Sequence, residues 1–250
     1  MGDIIDVMAK ILFFDLESAP NVGYTWGKWE QNVIEFLSES HLLCYAYAWN
    51  DGKVKVRTLP EYGNEKALVT SLWELLNEAD IVIAHNGNQF DIKYINGRFL
   101  EHEIQPPDKY QVVDTLLVAR SKFKFNSNKL NDLGTKLKLG QKVTTGGFAL
   151  WKGCMEDDQK SWKLMAKYNK QDVVLLRQVY YRLRPWMNRH PNINTINMDT
   201  LIPKCSICGS TKVWRKGFEP LGNGLRQRWK CECGANQYAG LKGNLPIRPA

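Results

Sequence analysis

Residues 10–17, Lys-Ile-Leu-Phe-Phe-Asp-Leu-Glu, form an apolar run that ends in two carboxylates. The run has the length and apolar content of a buried strand. Because side chains two residues apart in a strand share a face, Asp15 and Glu17 are predicted to point the same way while Leu16 points into the core. Two carboxylates on one face repel each other unless a cation lies between them, and a hard divalent ion such as Mg²⁺ suits that geometry. A solvated strand end is the alternative interpretation.

Strand-like and helix-like patterns alternate from this stretch to about residue 185. Further strands are predicted at 43–49, 54–59, 81–84 and 111–114. Helices are predicted at 64–79, with Asn64 as the N-cap, and at 92–101, 129–139 and 157–183. The predicted strands at 43–49 and 54–59 form a hairpin, and the later strands alternate with helices. This pattern indicates an α/β fold with a mixed sheet flanked by helices.

The chain is expected to divide in its last quarter. Residues 188–203 are rich in Asn and Pro and lack a helical period, so they are predicted to be a linker. The expected organisation is a first domain at 1–187, a small cysteine-containing module at 204–240 and a flexible tail at 241–250.

Composition excludes several classes of protein. The 250 residues are 44% hydrophobic and 24% charged, which is typical of globular proteins and excludes wholesale disorder. No apolar run is long enough to cross a membrane, and the first ten residues show no secretory pattern. We therefore expect a cytoplasmic protein with no membrane partner.

Positive charge is concentrated at the C-terminal end. The net charge is +8, and residues 201–250 contribute nine Lys or Arg against two Glu. A nearly neutral body with a basic end favours a nucleic-acid partner, with a solubilising terminus as the alternative.

Three further carboxylates lie beside apolar patterns. Asp91 and Asp114 each follow a predicted strand and open a helix, where a capping role is the alternative to a functional one. Asp172 lies within the last predicted helix, four residues after Tyr168, so both side chains share one helical face. An exposed Asp on that helix is the alternative interpretation.

The order of these motifs resembles a known family. Three motifs carry the likeness: Asp-x-Glu at 15–17, His-Asn-Gly-x-x-Phe-Asp at 85–91 and Tyr-x-x-x-Asp at 168–172. In this order they resemble the DEDD (DnaQ-like) 3′–5′ exonucleases over residues 10–183. The tyrosine is typical of the DEDDy branch, and predicted phage and bacterial members have a segment similar to residues 21–34.

The resemblance implies a ribonuclease H-like fold and a two-metal phosphodiesterase. Two Mg²⁺ or Mn²⁺ ions would be held by four carboxylates: Asp15, Glu17, Asp91 and Asp172. Tyr168 would orient the attacking water, and Asn86 would touch the substrate or close its own loop by hydrogen bonding. Asp114 is expected to cap its helix or to support a metal ligand by hydrogen bonding, and not to bind the metal itself. The implied substrate is nucleic acid with a free 3′ end, single-stranded DNA being favoured, and the implied setting is a bacterial or phage-infected cell with a replication or repair protein as partner.

Four cysteines form two close pairs in the last quarter: Cys205, Cys208, Cys231 and Cys233. Two such knuckles predict a structural Zn²⁺ site, similar to a zinc ribbon, although the second pair is separated by one residue and not by two. Basic residues beside aromatic ones are expected to contact nucleic acid: Arg215, Lys216, Arg226, Arg228 and Lys230. Protein docking by the ribbon is the alternative.

Two other functions stay open from the sequence. A non-catalytic nucleic-acid-binding protein would use the same fold, although all four carboxylates and Tyr168 are present. A structure-specific endonuclease would cut strands whose 3′ end is blocked.

Overall fold

A five-stranded mixed sheet lies at the centre of the N-terminal part of the chain. The structure, a computed structural model, describes residues 9–29, 32–196, 203–222, 224–238 and 248–249. The central sheet comprises β1 (Ile11–Ser18), β4 (Leu42–Trp49), β5 (Lys55–Thr58), β6 (Ile81–Ala84) and β7 (Gln111–Asp114). A separate two-stranded sheet pairs β2 (Val22–Tyr24) with β3 (Glu35–Ser38).

The strands of the central sheet run in the order β5-β4-β1-β6-β7. Strand β1 pairs antiparallel with β4 and parallel with β6, and β6 pairs parallel with β7. The predicted α/β fold with a mixed sheet is confirmed by this arrangement.

Eight α-helices are found among the described residues. They are α1 (Leu59–Tyr62), α2 (Glu65–Glu78), α3 (Asp91–Glu101), α4 (Thr115–Lys122), α5 (Leu130–Lys136), α6 (Phe148–Met155), α7 (Gln159–Leu183) and α8 (Ile193–Ile196). Helices α2 and α3 cover one face of the sheet, and α7 covers the other.

The central strand β1 is buried on both faces because it has helices on either side. Leu12, Phe14 and Leu16 pack with α2 and α3. Phe13 points to the other face, where its ring meets Tyr180 of α7 at 5.3 Å between centroids. Strand alternation therefore aims Asp15 and Glu17 at α7 as well.

Helix α7 carries the longest apolar face of the chain. Asp158 caps its N-terminus by accepting hydrogen bonds from Lys160 N and Ser161 N. Residues spaced by three and four, from Met165 to Leu183, are buried against the sheet. The same face carries Asp172 beneath β1, so the packing of α7 against the sheet fixes the position of this carboxylate relative to β1.

The C-terminal module is a four-stranded sheet built around the cysteines. Its strands are β8 (Val213–Leu221), β9 (Gly224–Cys231), β10 (Asn236–Tyr238) and β11 (Arg248–Pro249), in the order β11-β10-β9-β8. Among the residues of this module that the structure describes, the buried apolar cluster comprises Cys205, Ile207, Cys231 and Ala235. A core this small points to another source of stability.

The segment before this module includes ordered residues. Within the predicted linker, Ile193 is buried on α8, and its backbone N donates to Ser206 O at 2.9 Å. The rest of that linker, at 197–202, lies outside the described residues, as do residues 241–247 and 250 of the predicted tail. Among the described helices, none combines the length and the apolar character that a membrane crossing requires.

Candidate active site

Three carboxylates from distant parts of the chain meet beneath β1. One oxygen each from Asp15, Glu17 and Asp172 lies within 4.8 Å of the other two. Asp172 is 1% exposed, so the alternative of an exposed Asp on a helix is wrong. The spacing of two along β1 and the core packing of α7 together produce this acidic group.

Asp91 lies beside the group of three and not within it. It is the first residue of α3, is 3% exposed, and accepts a hydrogen bond from Leu16 N at 3.3 Å. The alternative that Asp91 is the N-cap is wrong, because Phe90 occupies the cap position. The carboxylate is instead turned towards β1, where its charge reaches Asp15.

Burial makes this group of carboxylates hard to ionise without a cation. Burial and neighbouring carboxylates, Asp91 first among them, raise the pKa of Asp15 well above its ordinary value. Burial, followed by the charge of Asp172, raises the pKa of Glu17 to about 8. Burial also raises the pKa of Asp91 to about 6 and holds the pKa of Asp172 above its ordinary value. Four acids with raised pKa values are the expected electrostatics of a site that binds positive charge.

Lys142 supplies a positive charge that sequence analysis missed. Its Nζ donates to Asp172 Oδ2 and lies 3.2 Å from the Tyr168 hydroxyl. Burial alone would lower the pKa of Lys142, but Asp172 outweighs burial, and the pKa lies above its ordinary value. The residue lies in the loop between α5 and α6, which no motif predicts, so only the folded chain brings it to the carboxylates.

The donor set fits a divalent metal ion. Asp172 Oδ1 is buried and accepts no hydrogen bond in the described part of the chain. An orphaned carboxylate oxygen is costly unless a ligand satisfies it. With oxygens of Asp15 and Glu17 within 4.8 Å, the group presents the all-oxygen ligands that Mg²⁺ and Mn²⁺ prefer.

Tyr168 faces the same small volume as the carboxylates. Its hydroxyl accepts a hydrogen bond from Lys142 Nζ at 3.2 Å, and the same Nζ donates to Asp172 Oδ2, one helical turn away from Tyr168. Burial and the charge of Asp172 raise the pKa of Tyr168, so the side chain stays a neutral hydroxyl. Trp151 of α6 packs edge-on against the Tyr168 ring, with 6.0 Å between the ring centroids. The tyrosine is thus held in place as a donor beside the acidic group.

Asp114 clamps the loop that precedes Asp91. As the N-cap of α4 it accepts from Leu116 N and Leu117 N, which is the expected capping role. The same carboxylate also accepts from the backbone N of Asn86 at 3.0 Å and of Asn88 at 3.2 Å. Asn86 adopts a left-handed φ of 70°, and these bonds hold that backbone.

A cavity of about 670 Å³ opens beside Asp15. Polar and basic residues line it beside two leucines, and they include His85, Asn86, Arg120, Asn128, Lys129 and Lys142. Asn86 closes its loop through its backbone carbonyl, which accepts from Gln89 N and Phe90 N, while its side chain lines the cavity. Burial lowers the pKa of His85 to about 4, so His85 contributes no charge at neutral pH.

The four predicted zinc ligands meet in the C-terminal module. All four sulfur atoms lie within 4.8 Å of one another, with Cys205 Sγ 3.8 Å from Cys233 Sγ and Cys208 Sγ 3.6 Å from Cys231 Sγ. Four sulfurs at about 2.3 Å from a central ion would lie about 3.8 Å apart in a tetrahedron. The thiols therefore fit Zn²⁺, and the tighter Cys231-x-Cys233 spacing brings both sulfurs into the group.

The basic residues of this module differ in their surroundings. Arg226, Arg228 and Lys230 alternate along β9 and so share one face of the sheet. Arg226 is paired with Glu219, and Lys230 donates to Gly234 O. Arg228 is exposed, as are Arg215 and Lys216 on the neighbouring strand.

Comparison with known proteins agrees with the fold. A family model described as the RNase H superfamily matches residues 12–184. The chain therefore belongs to the RNase H superfamily. The resemblance to exonucleases with the RNase H fold is confirmed at this level.

Two similar proteins are DNA polymerases. The chain is 33% identical over 76 residues to a PolC-type DNA polymerase III of Ureaplasma parvum serovar 3, a match that covers 30% of this chain and 5% of the polymerase. It shares its fold, with a TM-score of 0.54 and 15% identity, with the family B DNA polymerase of the hyperthermophilic archaeon Pyrobaculum calidifontis. That match covers 71% of this chain and 25% of the polymerase. The chain thus spans a small part of each relative.

Proposed function

We propose that the chain is a metal-dependent 3′–5′ exonuclease of the DEDDy type. The observation that carries the proposal is the meeting of Asp15, Glu17 and Asp172 within 4.8 Å on an RNase H fold. The orphaned oxygen of Asp172 and the adjacent Tyr168 hydroxyl support it.

The residues of the site have separate tasks in this proposal. Asp15, Glu17, Asp91 and Asp172 would hold two Mg²⁺ or Mn²⁺ ions, which when bound stabilise charge on the attacking and leaving oxygens of a phosphodiester. Tyr168, a neutral hydroxyl, would hold the attacking water by a hydrogen bond. The cavity beside Asp15 would receive the terminal nucleotide, with Asn86 on its wall.

The C-terminal module would be a zinc ribbon that contacts nucleic acid. Its exposed cations, Arg215, Lys216 and Arg228, would attract phosphates directly. Arg226 and Lys230 would contribute after exchanging their partners within the chain. Single-stranded DNA as substrate, a replication or repair partner and a bacterial cytoplasm belong to the same proposal, supported by the likeness to PolC-type polymerase III.

Incubation with 5′-labelled single-stranded DNA and RNA in Mg²⁺ or Mn²⁺ tests the proposal. A ladder that shortens from the 3′ end, and disappears with EDTA, is expected. Cleavage of a strand with a blocked 3′ end would identify an endonuclease instead. Tight binding without cleavage would favour a nucleic-acid-binding protein and contradict the enzyme.

Tyr168→Phe separates the tyrosine from the metal ligands. The variant keeps the ring that packs on Trp151 and removes only the hydroxyl. We expect kcat to fall about 100-fold, the typical contribution of a positioned proton-transfer group, with metal binding unchanged. Unchanged kcat would remove Tyr168 from the reaction.

A further inference from the structure

A buried amide joins α7 to the strand that carries Asp15. Asn169 is 0% exposed, and its Nδ2 donates to Asp15 Oδ2 at 2.8 Å. The same Nδ2 lies 3.2 Å from the Asp15 carbonyl oxygen, so one amide holds both the main chain and the side chain. Asn169 lies between Tyr168 and Asp172, and sequence analysis gave it no role.

Cys44 fixes which way this amide points. Cys44 lies opposite Glu17 in the β1–β4 ladder, and its Sγ lies 3.8 Å from Asn169 Oδ1. Burial raises the pKa of the Cys44 thiol well above its ordinary value, so the thiol stays protonated and donates. With Oδ1 occupied by the thiol, only the amide nitrogen faces Asp15.

We infer that Asn169, oriented by Cys44, is a positioning residue that holds the Asp15 carboxylate ready for a divalent cation. The inference deepens the proposed function, because it assigns how the metal site keeps its shape.

Repulsion within the acidic group is the reason such a tie is needed. Asp15 faces the charges of Asp91, Glu17 and Asp172, and each of them opposes a compact arrangement of ionised oxygens. A donor to Oδ2 prevents Asp15 from rotating away before a cation arrives. Removing a residue that hydrogen-bonds a metal ligand typically lowers the affinity for the metal by about 10-fold to 100-fold.

Mn²⁺ binding without nucleic acid is the direct test. The zinc-loaded protein is titrated with Mn²⁺ while electron paramagnetic resonance follows the free ion, and thermal unfolding without added Mn²⁺ reports the fold. Asn169→Ala is expected to weaken Mn²⁺ binding about 10-fold. Asn194→Ala is the matched control, because Asn194 is also buried and donates Nδ2 to a main-chain oxygen, that of Lys204, far from the carboxylates.

Cys44 offers a second pair of variants that alter the core less. Cys44→Ser keeps a donor towards Asn169 and is expected to bind Mn²⁺ within twofold of the unaltered chain, whereas Cys44→Ala is expected to bind several-fold more weakly. This pair decides the matter if Asn169→Ala fails to fold. In turnover, the loss in Asn169→Ala is expected as a higher half-saturating Mn²⁺ concentration with an unchanged KM for nucleic acid.

The outcomes separate this inference from the proposed function. If a folded Asn169→Ala, or Cys44→Ala, binds Mn²⁺ as the unaltered chain does, the positioning role is wrong and the exonuclease proposal stands. If the variants lose Mn²⁺ affinity but the unaltered chain cleaves no strand, the positioning role stands and the exonuclease is wrong. If the unaltered chain binds no Mn²⁺, both are overturned.

Discussion

The carboxylate group and the cysteine group differ in what holds their ligands together. Asp15, Glu17 and Asp172 lie on a strand and a long helix whose contacts involve the whole core. The four cysteines lie within residues 205–233. Among the described residues, the buried cluster there has four members, and two of them, Cys205 and Cys231, are themselves predicted zinc ligands. In the first region the fold gathers the ligands against their repulsion. In the second region we expect the ion to gather the ligands and the fold to follow.

The largest expected effect is in the cysteine group. Cys205→Ser removes one of four thiolates, and the ribbon is expected to lose its Zn²⁺ and unfold, because structural zinc supplies about 10 kcal/mol in such modules. Zinc content per chain and protease sensitivity after residue 203 measure this. Cys154→Ser, which alters a buried cysteine outside the group, is expected to keep its zinc. A folded, protease-resistant ribbon in Cys205→Ser would show that the small apolar core stabilises this module without zinc.

The carboxylate group is expected to respond in the opposite way. Asp15→Asn keeps the side-chain volume and removes a charge, so activity is expected to fall about 1,000-fold, in line with the several kcal/mol that metal ions contribute. Thermal unfolding without added Mg²⁺ or Mn²⁺ is expected not to fall, since burial and the neighbouring carboxylates both oppose the charge that the substitution removes. Asp108→Asn, at an exposed position, is the control. A large loss of stability in Asp15→Asn would mean that this site also builds its fold.

A pH series without added divalent cation sharpens the contrast. The pKa of Glu17 is about 8 in the folded protein and near 4.5 when unfolded, so stability from its bound proton is present at low pH and lost as pH rises through 8. Between pH 6.5 and 8.5 this loss is expected to be about 2 kcal/mol, or about 6 °C in Tm. Glu17→Gln is expected to show a flatter profile in differential scanning calorimetry. An identical profile would leave Glu17 without a shifted pKa.

Sequence patterns predicted the regular elements and the polar ends that follow them. Strand β7 was predicted at its observed bounds, and Asn64 caps α2 as expected, because capping and alternation are local rules. Helix α4 was predicted only at its start, through Asp114. Helix α6 and the β2–β3 pair were not predicted, since each is short and takes its place from tertiary contacts.

The candidate site was predictable where a motif carried it and not elsewhere. Asp15, Glu17 and Asp172 meet as their face-sharing spacings indicated. Lys142 and Asn169 were missed for different reasons. Lys142 comes from an irregular loop, and a buried Asn within a helix has the pattern of any polar residue until its partner, 154 positions away, is known.

The smallest expected effect concerns Lys142. Its ammonium gives the carboxylate group a positive charge of its own, before any metal ion binds. This ammonium donates to Asp172 Oδ2 and offsets the charge of that carboxylate, so it weakens the attraction that an incoming cation feels at Oδ1. Lys142→Met keeps the length of the stem and removes the charge. A partly exposed pair of this kind is worth about 1 kcal/mol, so the half-saturating Mn²⁺ concentration is expected to fall about fivefold. Lys136→Met, on the exposed side of α5, is expected to change nothing. Weaker Mn²⁺ binding in Lys142→Met would mean that the lysine assists metal binding instead of competing with it. The carboxylate group would then depend on an internal cation for its assembly, as the cysteine group is expected to depend on its zinc.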